Sequence, residues 1–167
     1  MNTRVVIGIG CEDHGDQIAA LLAVRAVRRA GAVVEVVESS GAPSEVIAAW
    51  RGARSAVVVE VMPGDVPGVI GRCRPHPRDP AFGCGSTQVS PRLREALAMG
   101  PLPAEVTIVT IAARCFVAGA PATPAVVAAA DEVAAAIVAD HPAHLRRRPP
   151  VARAAAAPAR VPVGAGR

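Results

Sequence analysis

The segment Arg4–Val27, RVVIGIGCEDHGDQIAALLAVRAV, joins a short apolar run to a polar loop and then to an amphipathic pattern. The run Arg4–Ile9 is rich in β-branched residues and is followed by glycine, which is typical of a buried strand. After the loop Gly10–Asp16, apolar side chains recur at helical spacing from Ile18 to Val27. The segment therefore predicts a strand, a loop and a helix, which is how an α/β fold begins.

The same alternation continues along the chain. Further strands are predicted at Val33–Val37, Ala56–Val61, Val69–Cys73 and Val106–Ile111, and further helices at Pro43–Trp50, Pro91–Met99 and Pro124–Ala139. Ser90 and Thr123 precede two of these helices, and we expect their hydroxyls to cap them. Strands that alternate with helices through short connections indicate the α/β class, here a three-layer αβα sandwich with a mostly parallel central sheet.

Charge is unevenly distributed along the 167 residues, whose formal net charge is +4. All 14 acidic residues lie at or before Asp140. Six of the 18 basic residues, all of them arginine, lie after it: Arg146, Arg147, Arg148, Arg153, Arg160 and Arg167. We expect residues 1–140 to form the domain and residues 141–167 to be a disordered tail rich in Arg, Pro and Ala. A nearly neutral domain argues against a nucleic-acid-binding core, which would carry a basic face.

The sequence carries no pattern of export or of membrane insertion. The apolar run at the start is too short for a signal peptide, and no stretch of about 18 apolar residues suggests a membrane span. Four cysteines are too few for a disulfide scaffold in a chain of this length. We therefore expect a cytoplasmic protein with reduced thiols and no membrane partner.

Three polar clusters are expected at the carboxyl ends of the strands, where open parallel sheets bind their ligands. The first loop, residues 10–17, holds several acids and His14. Glu60 ends the apolar run of the third strand, VVVE. The third loop, residues 83–90, reads GCGSTQVS and precedes a helix. These clusters are the candidate site.

A dinucleotide site is one alternative for the first loop, because Gly8 and Gly10 lie between a strand and a helix. The dinucleotide fingerprint needs a small residue three positions after the second glycine, and Asp13 occupies that position. Clustered carboxylates would repel a pyrophosphate, so this alternative is not favoured.

A zinc site formed by Cys73, His76 and Cys84 is a second alternative. Structural zinc sites usually have four ligands in paired short spacings. One ligand is missing here and the spacing is loose, so two ordinary thiols and a surface histidine are favoured instead.

For two acids in these clusters, a purely structural role has to be weighed against a role in the site. Asp16 precedes a helix, and its carboxylate is as well suited to capping that helix as to a role in the site. Glu60 is harder to explain in structural terms, because a carboxylate at the end of a buried strand needs partners. For Glu60 we favour a role in the site.

The other polar residues of the first loop are expected to be a solvated loop, although Glu12, Asp13 and His14 could serve as substitute ligands. Cys11 is a candidate soft ligand or nucleophile. The sequence places no histidine base beside it, so neither role is favoured for Cys11.

Four ordered segments resemble the hydrogenase maturation proteases. VVIGIGCEDHGDQIAALLAV (residues 5–24) resembles the family's opening strand and its Gly-Ile-Gly-Asn loop, with Gly8, Gly10 and Asp16 matching and Cys11 in place of the asparagine. ARSAVVVEVMPGDVPGVIGR (53–72) resembles its acid-ended strand, and GCGSTQVSPRLREAL (83–97) its Ser-Ser/Thr-His loop and helix. The segment 106–133 resembles its last strand and helix. The resemblance covers residues 4–139.

The resemblance implies an αβα fold and a hydrolase that acts in protein processing. Members are endopeptidases that remove a C-terminal extension from the large subunit of a nickel-iron hydrogenase after nickel insertion. The implied partner is the hydrogenase large-subunit precursor. The alternative is a catalytically impaired member that serves as a binding or accessory protein in hydrogenase maturation.

The resemblance also implies a set of nickel-contacting positions. The family has an acid after the first-loop Asp, an Asp at the end of the third strand and a His in the third loop. The matching residues here are Gln17, Glu60 and Gln88, with Asp16 and His14 as possible supporting residues. One carboxylate and two amides carry less charge than two carboxylates and an imidazole. We therefore expect weak nickel binding by the free protein and a nickel ion supplied by the substrate; the resemblance identifies no catalytic residue.

Overall fold

Strands and helices alternate along the described residues, 3–75 and 88–140 of a computed structural model. In chain order they are β1 (Arg4–Ile9), α1 (Ile18–Arg29), β2 (Glu35–Ser39), α2 (Pro43–Trp50), β3 (Ser55–Pro63), β4 (Ile70–Cys73), α3 (Pro91–Met99), β5 (Glu105–Ala113) and α4 (Pro124–Ala139). A turn of 3-10 helix, Gly15–Gln17, precedes α1. No helix within these two ranges is long and apolar enough to cross a membrane. The predicted tail, residues 141–167, lies outside the described residues.

The five strands form one sheet in the order β2-β1-β3-β5-β4. The first four strands of this order are parallel, and only β4 pairs with its neighbour β5 in the antiparallel direction. The predicted mostly parallel sheet is therefore confirmed.

Helices cover both faces of the sheet. On one face α1 and α4 pack against strand residues such as Val6 and Val59. On the other face α2 and α3 pack against residues such as Ile7 and Val58. Successive strand side chains point to opposite faces, so a strand covered on both sides needs an uninterrupted apolar run. This explains the unbroken apolar sequence of β1 and β3, and it confirms the three-layer αβα sandwich.

The order of the strands changes direction between β1 and β3. The chain leaves β1 for β2 on one side and then returns across the sheet to β3 on the other. Ile9, the last residue of β1, pairs with Glu60 of β3. The first loop and Glu60 therefore meet at the topological switch point, which is where open α/β sheets form their ligand crevice.

Close packing of α1 on the sheet explains the two glycines of the opening segment. A Cβ at Gly8 would lie 2.7 Å from Cγ2 of Val24 and 2.8 Å from the carbonyl oxygen of Ala20. A Cβ at Gly10 would lie 2.3 Å from the carbonyl oxygen of Gln17. Glycine at both positions thus leaves room for α1 and for the turn that precedes it.

Helices α2, α3 and α4 have the predicted bounds, and α1 extends two residues past Val27. Of the strands only β1 has the predicted bounds, and β4 and β5 differ by one or two residues at their ends. β2 begins at Glu35, two residues later than predicted, because its pairing with β1 begins there; Val33 is 82% exposed. β3 extends to Pro63, because it continues to pair with β5 beyond the point where β1 ends. Glu60 therefore lies inside β3, level with the end of β1.

Of the two predicted caps, one is confirmed and one is only half correct. The hydroxyl of Ser90 accepts the backbone N–H of Leu93 at 3.2 Å. Thr123 occupies the N-cap position of α4, but its side chain makes no capping hydrogen bond. Its backbone N–H binds Asp16 instead.

Candidate functional site

The first loop is held in place by Asp16, whose side chain is fully buried. Its Oδ1 accepts the backbone N–H of Thr123 at 2.7 Å, and its Oδ2 accepts those of Arg114 and Cys115 at 3.2 and 3.0 Å. These three residues belong to the segment between β5 and α4. Asp16 therefore joins the first loop to that segment.

Of the two interpretations weighed for Asp16, the structure does not show capping of the helix that follows it. Neither the 3-10 turn nor α1 has a side-chain cap. The segment after β5 leaves three backbone N–H groups that need acceptors, and they bind the carboxylate instead. Burial alone would raise the pKa of Asp16, but the amides of Thr123, Cys115 and Arg114 outweigh it and hold that pKa below 3.8.

Backbone contacts fix the loop at two further points. The N–H of Asp16 donates to the carbonyl of Cys115 at 2.8 Å, and the N–H of Gly119 donates to the carbonyl of Asp13 at 2.7 Å. Gly15 has φ +56°, and a Cβ there would lie 2.6 Å from the carbonyl oxygen of Cys115. Only glycine fits this close approach between the two loops.

Glu60 is buried, with 2% of its surface exposed. Its Oε1 accepts the backbone N–H of Ser90 at 3.1 Å, which brings the end of the third loop and the start of α3 to β3. Burial raises the pKa of Glu60 above 4.5, and the contacts with Ser90 offset only part of that rise. A carboxyl group with a raised pKa beside a ligand crevice is characteristic of functional sites.

The two glutamines belong to two different segments of the chain. Gln17 is half-buried and ends the 3-10 turn, which contacts β3. Gln88 is exposed, and Val89 beside it is buried between α3 and the sheet. Both glutamines thus belong to segments that meet β3 at this edge. That the side chains of Gln17, Glu60 and Gln88 converge on one ligand stays a prediction.

The donor set of these residues does not fit a resident divalent metal. Among residues 3–75 and 88–140, no three His, Cys, Asp or Glu side chains are grouped as metal ligands would be. Glu60 is the one carboxylate of the expected set, and its other two members, Gln17 and Gln88, are neutral amides. Asp16 is fully buried and bound to three amides, so it is closed to a ligand.

Glu12, a possible substitute ligand, is paired elsewhere. Arg25 of α1 donates to Glu12 from one side and to Glu38 of β2 from the other, with 3.0 Å between its Nε and Oε2 of Glu38. Arg28 also reaches Glu38, at 3.3 Å. These pairs join the first loop, α1 and β2 on the outer side of the site.

A contact that sequence reasoning missed joins Cys11 and His14. Sγ of Cys11 lies 3.1 Å from Nδ1 of His14. The expectation that no histidine lies beside Cys11 is therefore wrong. The turn between residues 11 and 14 brings together side chains three positions apart, and the Cys-x-x-His spacing could have indicated this.

A cavity among the described residues lies away from the candidate site. It has a volume of about 130 Å³ and opens between residues such as Arg4, Arg54 and Glu105 at the amino ends of the strands. The first loop, Glu60 and Gln88 do not line it.

Neither protein-family models nor curated proteins match this chain, whereas solved structures do. The endopeptidase HycI from Escherichia coli matches with a TM-score of 0.64 and 22% identity, over 80% of this chain and 87% of that one. The hydrogenase maturating endopeptidase HybD from E. coli matches with a TM-score of 0.65 and 17% identity, over 83% and 91%. The chain has the fold of the hydrogenase maturation endopeptidases. The [NiFe] hydrogenase maturation protease HybD from Thermococcus kodakarensis agrees, with a TM-score of 0.63 and 17% identity over 81% and 96%.

The fold implied by the four sequence segments is thereby confirmed. Each of these three structures is similar to this chain along most of its own length. At 17 to 22% identity the likeness is one of fold, and chemistry depends on the individual side chains at the site.

Proposed function

We propose that this chain is a hydrogenase maturation protease that removes the C-terminal extension of a nickel-iron hydrogenase large-subunit precursor. The observation that carries the proposal is the agreement between the sequence motifs and the fold. Four segments resemble that family in order, and the chain shares the fold of its solved members over about 80% of its length. The first loop and Glu60, which belong to two of those segments, lie at the switch point of the sheet.

In this proposal Glu60 is the central binding residue. Among the described residues, Glu60 is a buried acid of this edge that accepts one backbone N–H, whereas Asp16 accepts three. A carboxyl with a raised pKa binds a substrate polar group either as an acceptor or, when protonated, as a donor. Gln17 and Gln88 supply amide donors and acceptors on either side of it.

Nickel is part of the substrate in this proposal. The expected set of Gln17, Glu60 and Gln88 offers one carboxyl and two amides, which are weak ligands for a free divalent ion. A metal already held by the large subunit needs only recognition by this protein. We therefore expect little nickel binding by the purified chain and specific binding of the loaded precursor.

The direct test is to incubate the full chain with a nickel-loaded large-subunit precursor and to follow precursor mass. Loss of the C-terminal extension is expected with the wild type. Glu60→Gln keeps the size of the side chain and should slow trimming by about 10²-fold, the usual scale for losing an essential polar group at a reacting centre. Glu132→Gln, an exposed residue of α4, is the matched control and should trim normally.

Each other outcome has a defined meaning. A stable complex without trimming would refute the peptidase and indicate a binding protein. Trimming that is equal in the wild type and Glu60→Gln would retain the peptidase and remove Glu60 from its site. Absence of both binding and trimming would refute the hydrogenase partner.

A further inference from the structure

Cys11 and His14 form a thiol–imidazole pair that the resemblance does not assign. Sγ of Cys11 and Nδ1 of His14 are 3.1 Å apart, which is hydrogen-bond distance for sulfur. His14 is exposed and Cys11 is half-buried, so a substrate can reach both. A nucleophile and a base in such contact are the minimal apparatus for covalent acyl transfer.

The backbone fixes this pair on both sides of His14. The carbonyl of Asp13 accepts the N–H of Gly119 at 2.7 Å, and the carbonyl of His14 accepts the N–H of Gln17 at 3.2 Å. One residue, Gly10, separates Cys11 from the end of β1. The N–H of Gly10 donates to the carbonyl of Ser39 in β2 at 3.1 Å. The pair is therefore attached to the sheet and to the segment after β5.

The pair also lies at the edge of the sheet where the candidate site is. It follows β1, whose last residue Ile9 pairs with Glu60 of β3. A peptide that contacts Glu60 in the crevice between β1 and β3 thus passes the first loop. Among the described residues, Cys73 and Cys115 are half-buried to the same degree as Cys11, but Cys73 lies within β4 and Cys115 beneath Gly15.

We propose that Cys11 is the nucleophile and His14 the general base of a cysteine-dependent peptide cleavage by this chain, an inference that rests on the proposed peptidase function. His14 Nδ1 takes the thiol proton as Sγ of Cys11 attacks the scissile carbonyl carbon. The tetrahedral intermediate then collapses, the C–N bond breaks, and His14 returns the proton to the leaving amine. The C-terminal extension departs with a free amino end, and the large subunit stays on Cys11 as a thioester.

Water completes the reaction. His14 takes a proton from water, the hydroxide attacks the thioester carbonyl, and the C–S bond breaks. The thiolate recovers the proton from His14. One peptide bond and one water are converted to one carboxylic acid and one amine, with no oxidant and no other reactant.

The first test measures thiol reactivity and needs no hydrogenase. The full chain is treated with iodoacetamide or p-nitrophenyl acetate, and adducts at each cysteine are followed by peptide mass spectrometry. Cys11 should react about tenfold or more faster than Cys115, because the imidazole of His14 can accept the thiol proton as the sulfur attacks. In His14→Gln the Cys11 rate should fall to that of Cys115. A Cys11 rate that His14→Gln leaves unchanged overturns the pair.

The second test measures trimming of the nickel-loaded precursor. Cys11→Ala and Cys11→Ser should abolish it, and His14→Gln should slow it by about 10² to 10⁴-fold, the usual contribution of a general base. Cys115→Ala is the matched control, and thermal melting verifies that all four variants fold. A precursor thioester that accumulates on Cys11 and is lost with hydroxylamine would identify the covalent intermediate.

The two proposals fail in different ways. Trimming that is equal in the wild type and in Cys11→Ala overturns the nucleophile and leaves the hydrogenase peptidase standing. Absence of trimming by the wild type overturns the peptidase. The reactivity of Cys11 with p-nitrophenyl acetate then remains as the test of whether Cys11 and His14 act as a nucleophile and a base. Equal acylation of Cys11 and Cys115 in that experiment overturns the pair as well.

Discussion

Two buried acids lie at the same edge of the sheet, and their surroundings give them opposite electrostatic characters. Asp16 in the first loop accepts three backbone N–H groups, which hold its pKa below 3.8 although burial opposes them. Glu60 in β3 accepts one backbone N–H among the described residues, and burial raises its pKa above 4.5. The number of donors that meet each of these two buried carboxylates therefore decides the direction in which its pKa is shifted, rather than burial itself.

The comparison separates scaffold from site. The hydrogen-bonding capacity of Asp16 is used within the protein, where it joins the first loop to the segment after β5. Glu60 has fewer hydrogen-bond partners among the described residues, and we expect its carboxyl group to bind a ligand. Variants of the two acids should therefore differ in kind, with one losing stability and the other losing activity.

Asp16→Ala is expected to have the largest effect on folding. It leaves three buried N–H groups without an acceptor, each of which costs about 1 to 3 kcal/mol, so the free energy of unfolding should fall by roughly 4 kcal/mol. Urea unfolding at neutral pH measures this fall. Asp131→Ala, an exposed aspartate of α4, is the control and should change stability by less than about 0.5 kcal/mol.

The sign of the pH dependence provides a second measure of Asp16. Because its folded pKa is lowered, its contribution to stability is present above the ordinary value of 3.8 and is lost as the pH falls through the folded pKa. Asp16→Asn should flatten the acid side of the stability curve. An Asp16→Ala loss below about 1 kcal/mol would contradict the role of Asp16 as a scaffold residue.

Glu60→Gln should change stability in the opposite direction. Because the folded pKa of Glu60 is raised, ionisation opposes folding, and wild-type stability falls as the pH rises from the ordinary value of 4.5 through the folded pKa. The neutral amide avoids this penalty, so the variant should be more stable than the wild type at neutral pH. The difference should vanish below 4.5.

The matched variant is Glu95→Gln, which changes an exposed glutamate of α3 and should leave the pH dependence unaltered. Chemical denaturation at several pH values measures both variants. A Glu60→Gln protein that is less stable than the wild type at every pH would show that the ionised carboxylate stabilises the fold. The contrast with Asp16 would then disappear.

Ser90→Ala tests the link between Glu60 and α3. It removes the hydroxyl that accepts the N–H of Leu93, and loss of an N-cap usually costs about 1 kcal/mol. It also removes the Ser90 side chain that lowers the pKa of Glu60, so that pKa should rise further. Ser44→Ala, at an exposed position inside α2, is the control. Equal stability of both variants at neutral pH would contradict the cap.

The fold could be predicted from the sequence because its helices and strands depend on local patterns. The apolar periodicity, the prolines at helix starts and Ser90 fixed all four helices, and the buried run of β3 indicated a sheet covered on both faces. The errors come from pairing between distant segments. β2 begins where its partner β1 permits, and β3 extends because β5 continues beside it.

The site was harder to predict, for the same reason. The acceptor role of Asp16 depends on amides more than 90 residues away, at Arg114, Cys115 and Thr123. No local signal shows which backbone groups will need an acceptor. The Cys11–His14 contact is the exception, because a turn brings residues three positions apart together, and that spacing is visible in the sequence.

Glu12→Gln should have the smallest effect on the free energy of unfolding. It tests whether the exposed side of the first loop contributes as much to stability as the buried side, which Asp16 holds in place. Glu12 pairs with Arg25, but its side chain is 59% exposed and Arg25 also binds Glu38. Exposed ion pairs contribute about 0 to 1 kcal/mol, so stability should fall by less than about 0.5 kcal/mol and less still at high salt. Urea unfolding at low and high salt measures this. A loss as large as that of Asp16→Ala would mean that the first loop is held from its exposed side, and the buried carboxylate would no longer be its main attachment.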